Sequence, residues 1–180
     1  MIRVAIQGVA GSYSEEAVLK VFGGRASIVE CDDFEATFSA IRTGVADQAM
    51  IPIENKIIGV IESTAALIGS NDLKIHERLH LRVQHVLAGT REAQLDDIVS
   101  VRSHVEALRQ CRTYLARHPH LRQEIGADTA SSVRQVILDG DRKCAAICSE
   151  RAAELYGAKI LCKNIADDRD NWTIFCLIGN

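Results

Sequence analysis

Apolar runs of strand length alternate along the chain with segments whose apolar positions recur every three or four residues, the pattern of parallel βαβ units. The run MIRVAIQG reads as a first strand. A helix over 12–21 follows it, opened by Ser12 and Glu15 at capping-box spacing. ASIVEC predicts a second strand leading into a helix over 33–42, where Phe34, Thr37, Phe38 and Ile41 mark one face and Gly44 is the expected C-cap. QAMIPIEN predicts a third strand, which gives way at Gly59 to a helix carrying Val60, Ile61, Ala65, Leu67 and Ile68. Pro52 has no N–H to donate, so it marks that strand as an edge or a crossover point.

The rest of the chain repeats the pattern. LKIHERLHLRVQHVLAG reads as one long strand, and IVSV precedes a single helix, SHVEALRQCRTYLARH, with Ser103 and Glu106 at capping-box spacing. A helix over 131–138, the strand CAAIC, a helix over 149–155 stopped by Gly157, and the strand TIFCLIG complete it. The long strand near 74–88 reads as a passage between two lobes, and the last strand as a return to the first. The expected architecture is therefore α/β with two lobes and a ligand cleft between them, lobe 1 over about 1–75 plus 167–180 and lobe 2 over about 76–166.

Composition narrows the function. With 180 residues, 47% of them hydrophobic, the chain can bury a substantial core. A net charge of -3 with scattered Lys and Arg provides no basic stripe, so neither nucleic acid nor an anionic membrane is an expected partner. No apolar run approaches the length of a membrane span and the first residues read as a strand, so the expected location is cytoplasmic. The six cysteines form no CxxC pair and have no histidine at zinc-finger spacing; they read as reduced, mostly structural side chains, and no metal is expected.

Four segments could carry chemistry. In QGVAGSYSEEA, Gly8 and Gly11 let the backbone approach a ligand, and the helix start at Ser12, Tyr13 and Ser14 could hold an anion, though the dinucleotide fingerprint is not matched. IPIENKIIG puts Glu54 and Asn55 at the carboxyl end of a strand, the ligand-facing edge of a parallel sheet. Ser103 and His104 open one helix, and Asp128, Thr129 and Ser131 open another. His76, His80, His85, His118 and His120 read as structural. No nucleophile elbow, P-loop or catalytic triad is present, so binding of a small oxyanion fits better than acyl transfer.

GVAGSYSEEA, IPIENKIIG, ERLHLRVQHVL, SHVEALRQC, DTASSV, AAICSERAAELYG and a closing N-x-T-x-F at 171–175 resemble, in order, the motifs of the catalytic domain of prephenate dehydratase. The resemblance implies a fold like type II periplasmic binding proteins, with the active site between two lobes. It also implies conversion of prephenate to phenylpyruvate without cofactor or metal, as a homodimer or tetramer. By the same resemblance Thr173, Glu54 and Asn55 are the catalytic candidates, with Thr173 donating to the departing hydroxyl. Gly11, Ser12, Tyr13, Ser103, His104, Thr129, Ala130, Asn171 and Phe175 are the candidates for binding substrate.

Two positions depart from the family pattern. Ile174 replaces the Arg that follows the family Thr, and Lys56 replaces the usual Ser after Glu-Asn. If that Arg contacts the substrate in the transition state, its loss costs about 1.5 to 3 kcal/mol. On this expectation Ile174→Arg raises dehydration. The change also keeps two other readings in view, a non-aromatising prephenate decarboxylase and a non-catalytic small-anion-binding module of the same fold. Arogenate, which carries an amino group where prephenate has a keto group, is an alternative substrate. The family's C-terminal ACT regulatory domain has no counterpart before Asn180, so feedback control within these residues is not expected.

Overall fold

A computed structural model describes residues 1–180, which form two compact units, Met1–Val83 with Asn171–Asn180, and Gln84–Asp170. The first contains β1 (Ile2–Gln7), α1 (Tyr13–Phe22), β2 (Ala26–Cys31), α2 (Phe34–Arg42), β3 (Gln48–Asn55), β4 (Gly59–Val60), α3 (Glu62–Ser70) and β5 (Lys74–Arg82). The second contains β6 (Val86–Gly89), a 3-10 turn at Leu95–Asp97, β7 (Ser100–Ser103), α4 (Val105–Gln110), α5 (Arg112–Ala116), β8 (Arg122–Ile125), α6 (Thr129–Asp139), β9 (Cys144–Cys148), α7 (Glu150–Leu155) and β10 (Lys159–Cys162). The chain then returns to the first unit with β11 (Trp172–Gly179). No helix is long and apolar enough to cross a membrane.

In the first unit the main sheet path runs β2-β1-β3-β11-β5, with β4 attached to β3. β1 pairs in parallel with β2 and β3, whereas β11 runs antiparallel to both β3 and β5. The sheet is thus mixed. Strand alternation sends neighbours to opposite faces. Val4, Ile6, Met50, Leu81, Phe175 and Leu177 pack against Val18 of α1, while Ala5, Ile51, Cys176 and Ile178 pack against Phe38 and Ile41 of α2.

Pro52 lies in a strand flanked on both sides, so the edge alternative fails and the crossover alternative holds. β1 pairs only with the first residues of β3, through Met50, and from Glu54 onward β4 takes its place. Pro52 falls in the gap between them, so on that side no ladder partner calls for its missing N–H. Its carbonyl accepts from Thr64 Oγ1 at 2.7 Å.

In the second unit the order is β10-β6-β9-β7-β8, with β7 parallel to β8 and β9, and β6 antiparallel to β9 and β10. Its core gathers Leu87, Ile98, Val101, Leu108, Leu115, Leu121, Ile147 and Ile165.

Several expectations change. The apolar run over 73–89 is two strands in different sheets: Val83 N–H donates to Asn171 O, and two residues later His85 O accepts from Ile165 N. All of β5 pairs with β11, so the first unit extends past the expected 75 to Val83 and resumes at Asn171 instead of 167. The helix expected over 103–118 breaks at Cys111. Asp167 bridges the break, donating its N–H to Gln110 O at 2.7 Å and accepting from Thr113 N at 3.0 Å. The short strands β4, β8 and β10 carry too little periodicity to be read from sequence. All six cysteines are free, and burial pushes the Cys111 and Cys148 thiols up to about 12.

Candidate functional site

The β3–β11 pair brings together residues far apart in sequence. Asn55 lies opposite Thr173 in register, and both are buried, along with Asn171. Asn55 Oδ1 accepts from the backbone N–H groups of Ile57 and Ile58 at 2.9 and 3.2 Å, which fixes the orientation of its amide. Its Nδ2 therefore points at β11, donating toward Asn171 Oδ1 (3.0 Å), Trp172 O (3.0 Å) and Thr173 Oγ1 (2.9 Å). An amide nitrogen has two protons, so three acceptors share them. Thr173 Oγ1 is used here as an acceptor. Its own proton is thereby directed away from Asn55.

Glu54 and Ile174 occupy the next register position, and His80 lies opposite Ile174 on the other side. Directly opposed residues share a face and successive residues alternate. Glu54, Ile174 and His80 therefore lie on the face opposite Asn55, Thr173 and Leu81. The structure does not bring Glu54 to Thr173, and the position of the family Arg looks away from the Thr173 hydroxyl. A bulge contributes to this arrangement, because the register moves from Glu54–Ile174 to Pro52–Phe175 and leaves Ile53 as the extra residue.

At the same end of this sheet, the turn after β1 leads into α1. Gly8 and Gly11 have φ of 100° and 87°, which favour glycine. Ser12 caps α1 by accepting from Glu15 N at 3.3 Å, and Glu15 Oε2 reaches back to Gly11 N at 2.7 Å. Ala10 N donates to Glu30 Oε1, also at 2.7 Å. Carboxylates of the chain itself thus meet the amides expected to hold a substrate carboxylate. The half-buried Tyr13 packs against the α1-side core. Phe175 is only 3% exposed within that core, so its expected role in binding substrate becomes one of packing.

In the second unit the polar residues cap helices. His104, and not Ser103, caps α4: its Nδ1 accepts from Glu106 N at 3.3 Å, which requires an unprotonated Nδ1. Ser103 is fully buried and donates to Ile147 O at 2.7 Å, so its hydroxyl locks β7 to β9 and is withdrawn from the binding set. Asp128 caps α6 by accepting from Ser131 N and Ser131 Oγ, both at 2.7 Å. Thr129 is half-buried in its first turn, while the Ala130 side chain is fully buried, which leaves only its backbone to meet a ligand. Gly126 sits under this turn, where any Cβ would strike Ser132 Oγ. No three His, Cys, Asp or Glu side chains gather as a metal site would require.

Buried His85, read from the sequence as structural, pairs with the half-buried Gln110. The His85 Nε2 to Gln110 Oε1 distance is 2.9 Å. Burial lowers the His85 pKa, and the Gln110 hydrogen bond opposes that shift.

The prephenate dehydratase family model matches residues 4–180. The chain is 36% identical to arogenate dehydratase/prephenate dehydratase 2, chloroplastic, of Arabidopsis thaliana, over 99% of its own length and 46% of that protein. It thus spans about half the length of such curated relatives. Among solved structures it is similar to the prephenate dehydratase of Arthrobacter aurescens in complex with L-Phe, with TM-score 0.90, 28% identity, and coverage of 99% of this chain and 60% of that one. It is also similar to GqqA, described as a novel type of quorum quenching acylase, with TM-score 0.87, 30% identity and coverage of 99% and 64%. A periplasmic substrate-binding protein of Coxiella burnetii shares the fold alone, at TM-score 0.50 and 14% identity over 98% of this chain and 84% of that one. With nearly every residue inside the matched region, the chain belongs to the prephenate dehydratase family.

Proposed function

We propose that this chain catalyses the decarboxylating dehydration of prephenate to phenylpyruvate, a step toward phenylalanine, with Thr173 as the group that touches the leaving hydroxyl. The bond to the ring carboxylate breaks and releases carbon dioxide. Its electron pair completes the aromatic ring, and the C4–O bond breaks. Hydroxide is a poor leaving group, so a donor at that oxygen lowers the barrier. Aromatisation drives the reaction, and the reading calls for no cofactor. The observation that carries it is the 2.9 Å bond from Asn55 Nδ2 to Thr173 Oγ1, which makes the threonine an acceptor on one side and a directed donor on the other. Because Ile174 lies on the opposite face, the loss of the family Arg leaves this donor in place and favours dehydration over plain decarboxylation or binding alone.

His104, Thr129, Ser12 and Tyr13 remain in this reading as candidates for holding the substrate carboxylates. A cytoplasmic location and self-association as a dimer or tetramer belong to it as well. Arogenate is the second substrate to weigh, since relatives of similar identity are named arogenate dehydratases. Incubation with prephenate and with arogenate, followed by mass and ultraviolet spectra, tests the reading. Phenylpyruvate or phenylalanine supports it, whereas a dihydro-hydroxyphenylpyruvate or unchanged substrate overturns it. Thr173→Ala should cut turnover about 100- to 1,000-fold, the usual effect of losing one transition-state donor. Unchanged turnover removes Thr173 from the chemistry.

A further inference from the structure

β8 closes one side of the second unit's sheet and pairs only with β7. Within it, Arg122 N donates to Val99 O, and just beyond it Gly126 N donates to Ser103 O. The even-numbered residues therefore spend their backbone groups on β7, and Gln123 and Ile125 turn theirs outward. The outward edge lacks the usual protection of a bulge or proline. Ile125 is 74% exposed there. Beside it lies a groove of about 570 Å³, whose lining includes Leu108, Arg109, Arg112, Leu115, Gln123 and Ile125.

We infer that this edge is the docking surface for a second copy of the chain, paired antiparallel about a two-fold axis through Gln123. Such an axis stands perpendicular to the sheet, so opposed residues share a face and their numbers sum to 246. Gln123 then meets Gln123 of the other copy as a hydrogen-bonded pair, as its outward N–H and C=O require. Arg122 meets Glu124 of the other copy and Glu124 meets Arg122, so the sequence Arg-Gln-Glu is self-complementary in charge. Ile125 meets Leu121 of the other copy, covering its exposed side chain. In each chain Arg122 and Arg102 already hold Glu124, at 2.8 and 2.9 Å, which fixes its carboxylate for the incoming arginine.

The β5 edge of the first unit does not satisfy the same constraint. Centring β5 on its middle residue would oppose Arg78 to itself. Two five-stranded sheets joined through β8 form one of ten strands. A four-residue edge is short for a permanent interface, so the dimer should dissociate at roughly micromolar concentration.

This locates the self-association proposed above, and the test separates the two. Sedimentation at increasing concentration should show a mass rising from 19.7 kDa to twice that value. Gln123→Pro should abolish the rise while preserving the circular dichroism spectrum, because Gln123 N–H is not used in the β7 ladder. Gln123→Cys should form a disulfide-linked dimer on mild oxidation, since a hydrogen-bonded antiparallel pair sets the Cα atoms about 5.5 Å apart. The unsubstituted chain, treated alike, should not. A dimer that survives Gln123→Pro and is not captured by Gln123→Cys overturns the surface and leaves self-association standing. A mass fixed at 19.7 kDa overturns both.

Discussion

The polar side chains at the candidate loops of the two units bond over very different distances along the chain. In the first, Asn55 binds residues 116 to 118 positions away, and the result is a donor held at Thr173. In the second, Asp128 binds Ser131 and His104 binds Glu106, three and two residues on, and the result is a set of capped helices. Local pairing satisfies orphan helix amides and needs no particular tertiary structure. Long-range pairing among buried amides and a hydroxyl exists only when the fold is complete, and selection for secondary structure alone does not account for it. The local caps of the second unit serve stability, and the Asn55 network around Thr173 in the first marks the candidate site.

That contrast can be broken most severely at Asn55. Asn55→Asp keeps an acceptor for the N–H groups of Ile57 and Ile58 but removes the donor to Thr173 Oγ1. The threonine hydroxyl should then donate to the new carboxylate, turning its proton away from the leaving group. Turnover should fall about 100-fold or more with KM changed less than about threefold, because the lost interaction belongs to the transition state. Steady-state kinetics on prephenate checks this. A rise in KM alone would mean that Asn55 serves binding and not the Thr173 proton.

The same contrast explains what the sequence revealed. The glycine turn, the Ser12 cap, the helix starts at Asp33, Asp128 and Ser149 and the strands β1, β3, β9 and β11 were legible because each rests on spacing within a few residues. Asn55, Asn171 and Thr173 were legible as candidates through the family motif, but their bonding was not. Which face Glu54 takes depends on a one-residue bulge at Ile53, and no periodicity records it. Ser103 looked like a cap because Glu106 follows at the right spacing, yet its hydroxyl goes to Ile147, 44 residues away. The break at Cys111 likewise depends on Asp167, which arrives from the far end of the unit.

In the second unit, disruption should cost stability. Gly126→Ala places a methyl against Ser132 Oγ, which donates to Asp128 O at 2.6 Å, so either that hydrogen bond is lost or the start of α6 shifts. The expected loss is about 1 to 3 kcal/mol by denaturant unfolding. Thr173→Ala, a small truncation, should stay within about 1.5 kcal/mol of the parent by the same measurement. Equal losses in the two variants would erase the distinction between the units.

His85 gives the second unit a pH dependence. Its folded pKa is lowered, chiefly by burial, so the unfolded chain binds the proton more readily. The stability contributed by the neutral ring is complete above its unfolded pKa of about 6.5 and is lost as pH falls from there toward the depressed folded value. The slope from this one group is at most about 1.4 kcal/mol per pH unit. Melting temperatures between pH 7.5 and 5.5 should fall less steeply in His85→Gln than in the parent. Identical slopes would assign the acid sensitivity to other groups.

The smallest effect should come from Ile174→Arg, although the family resemblance alone leads one to expect a large gain. Position 174 faces Glu54 on one side and His80 on the other, on the sheet face opposite the Thr173 hydroxyl. Trp172 lies on the same face, its ring 5.3 Å from that of His80. An arginine introduced there has a carboxylate directly across the ladder and an indole nearby, so it is paired and need not be buried alone. Cross-strand opposite-charge pairs contribute about 0.2 to 1 kcal/mol, and the melting temperature should rise slightly. Turnover should change less than about threefold, since the side chain gains no path to the leaving hydroxyl. A tenfold or greater rise in phenylpyruvate formation would show that the guanidinium reaches the substrate, and that the two faces of this strand pair cooperate in the chemistry.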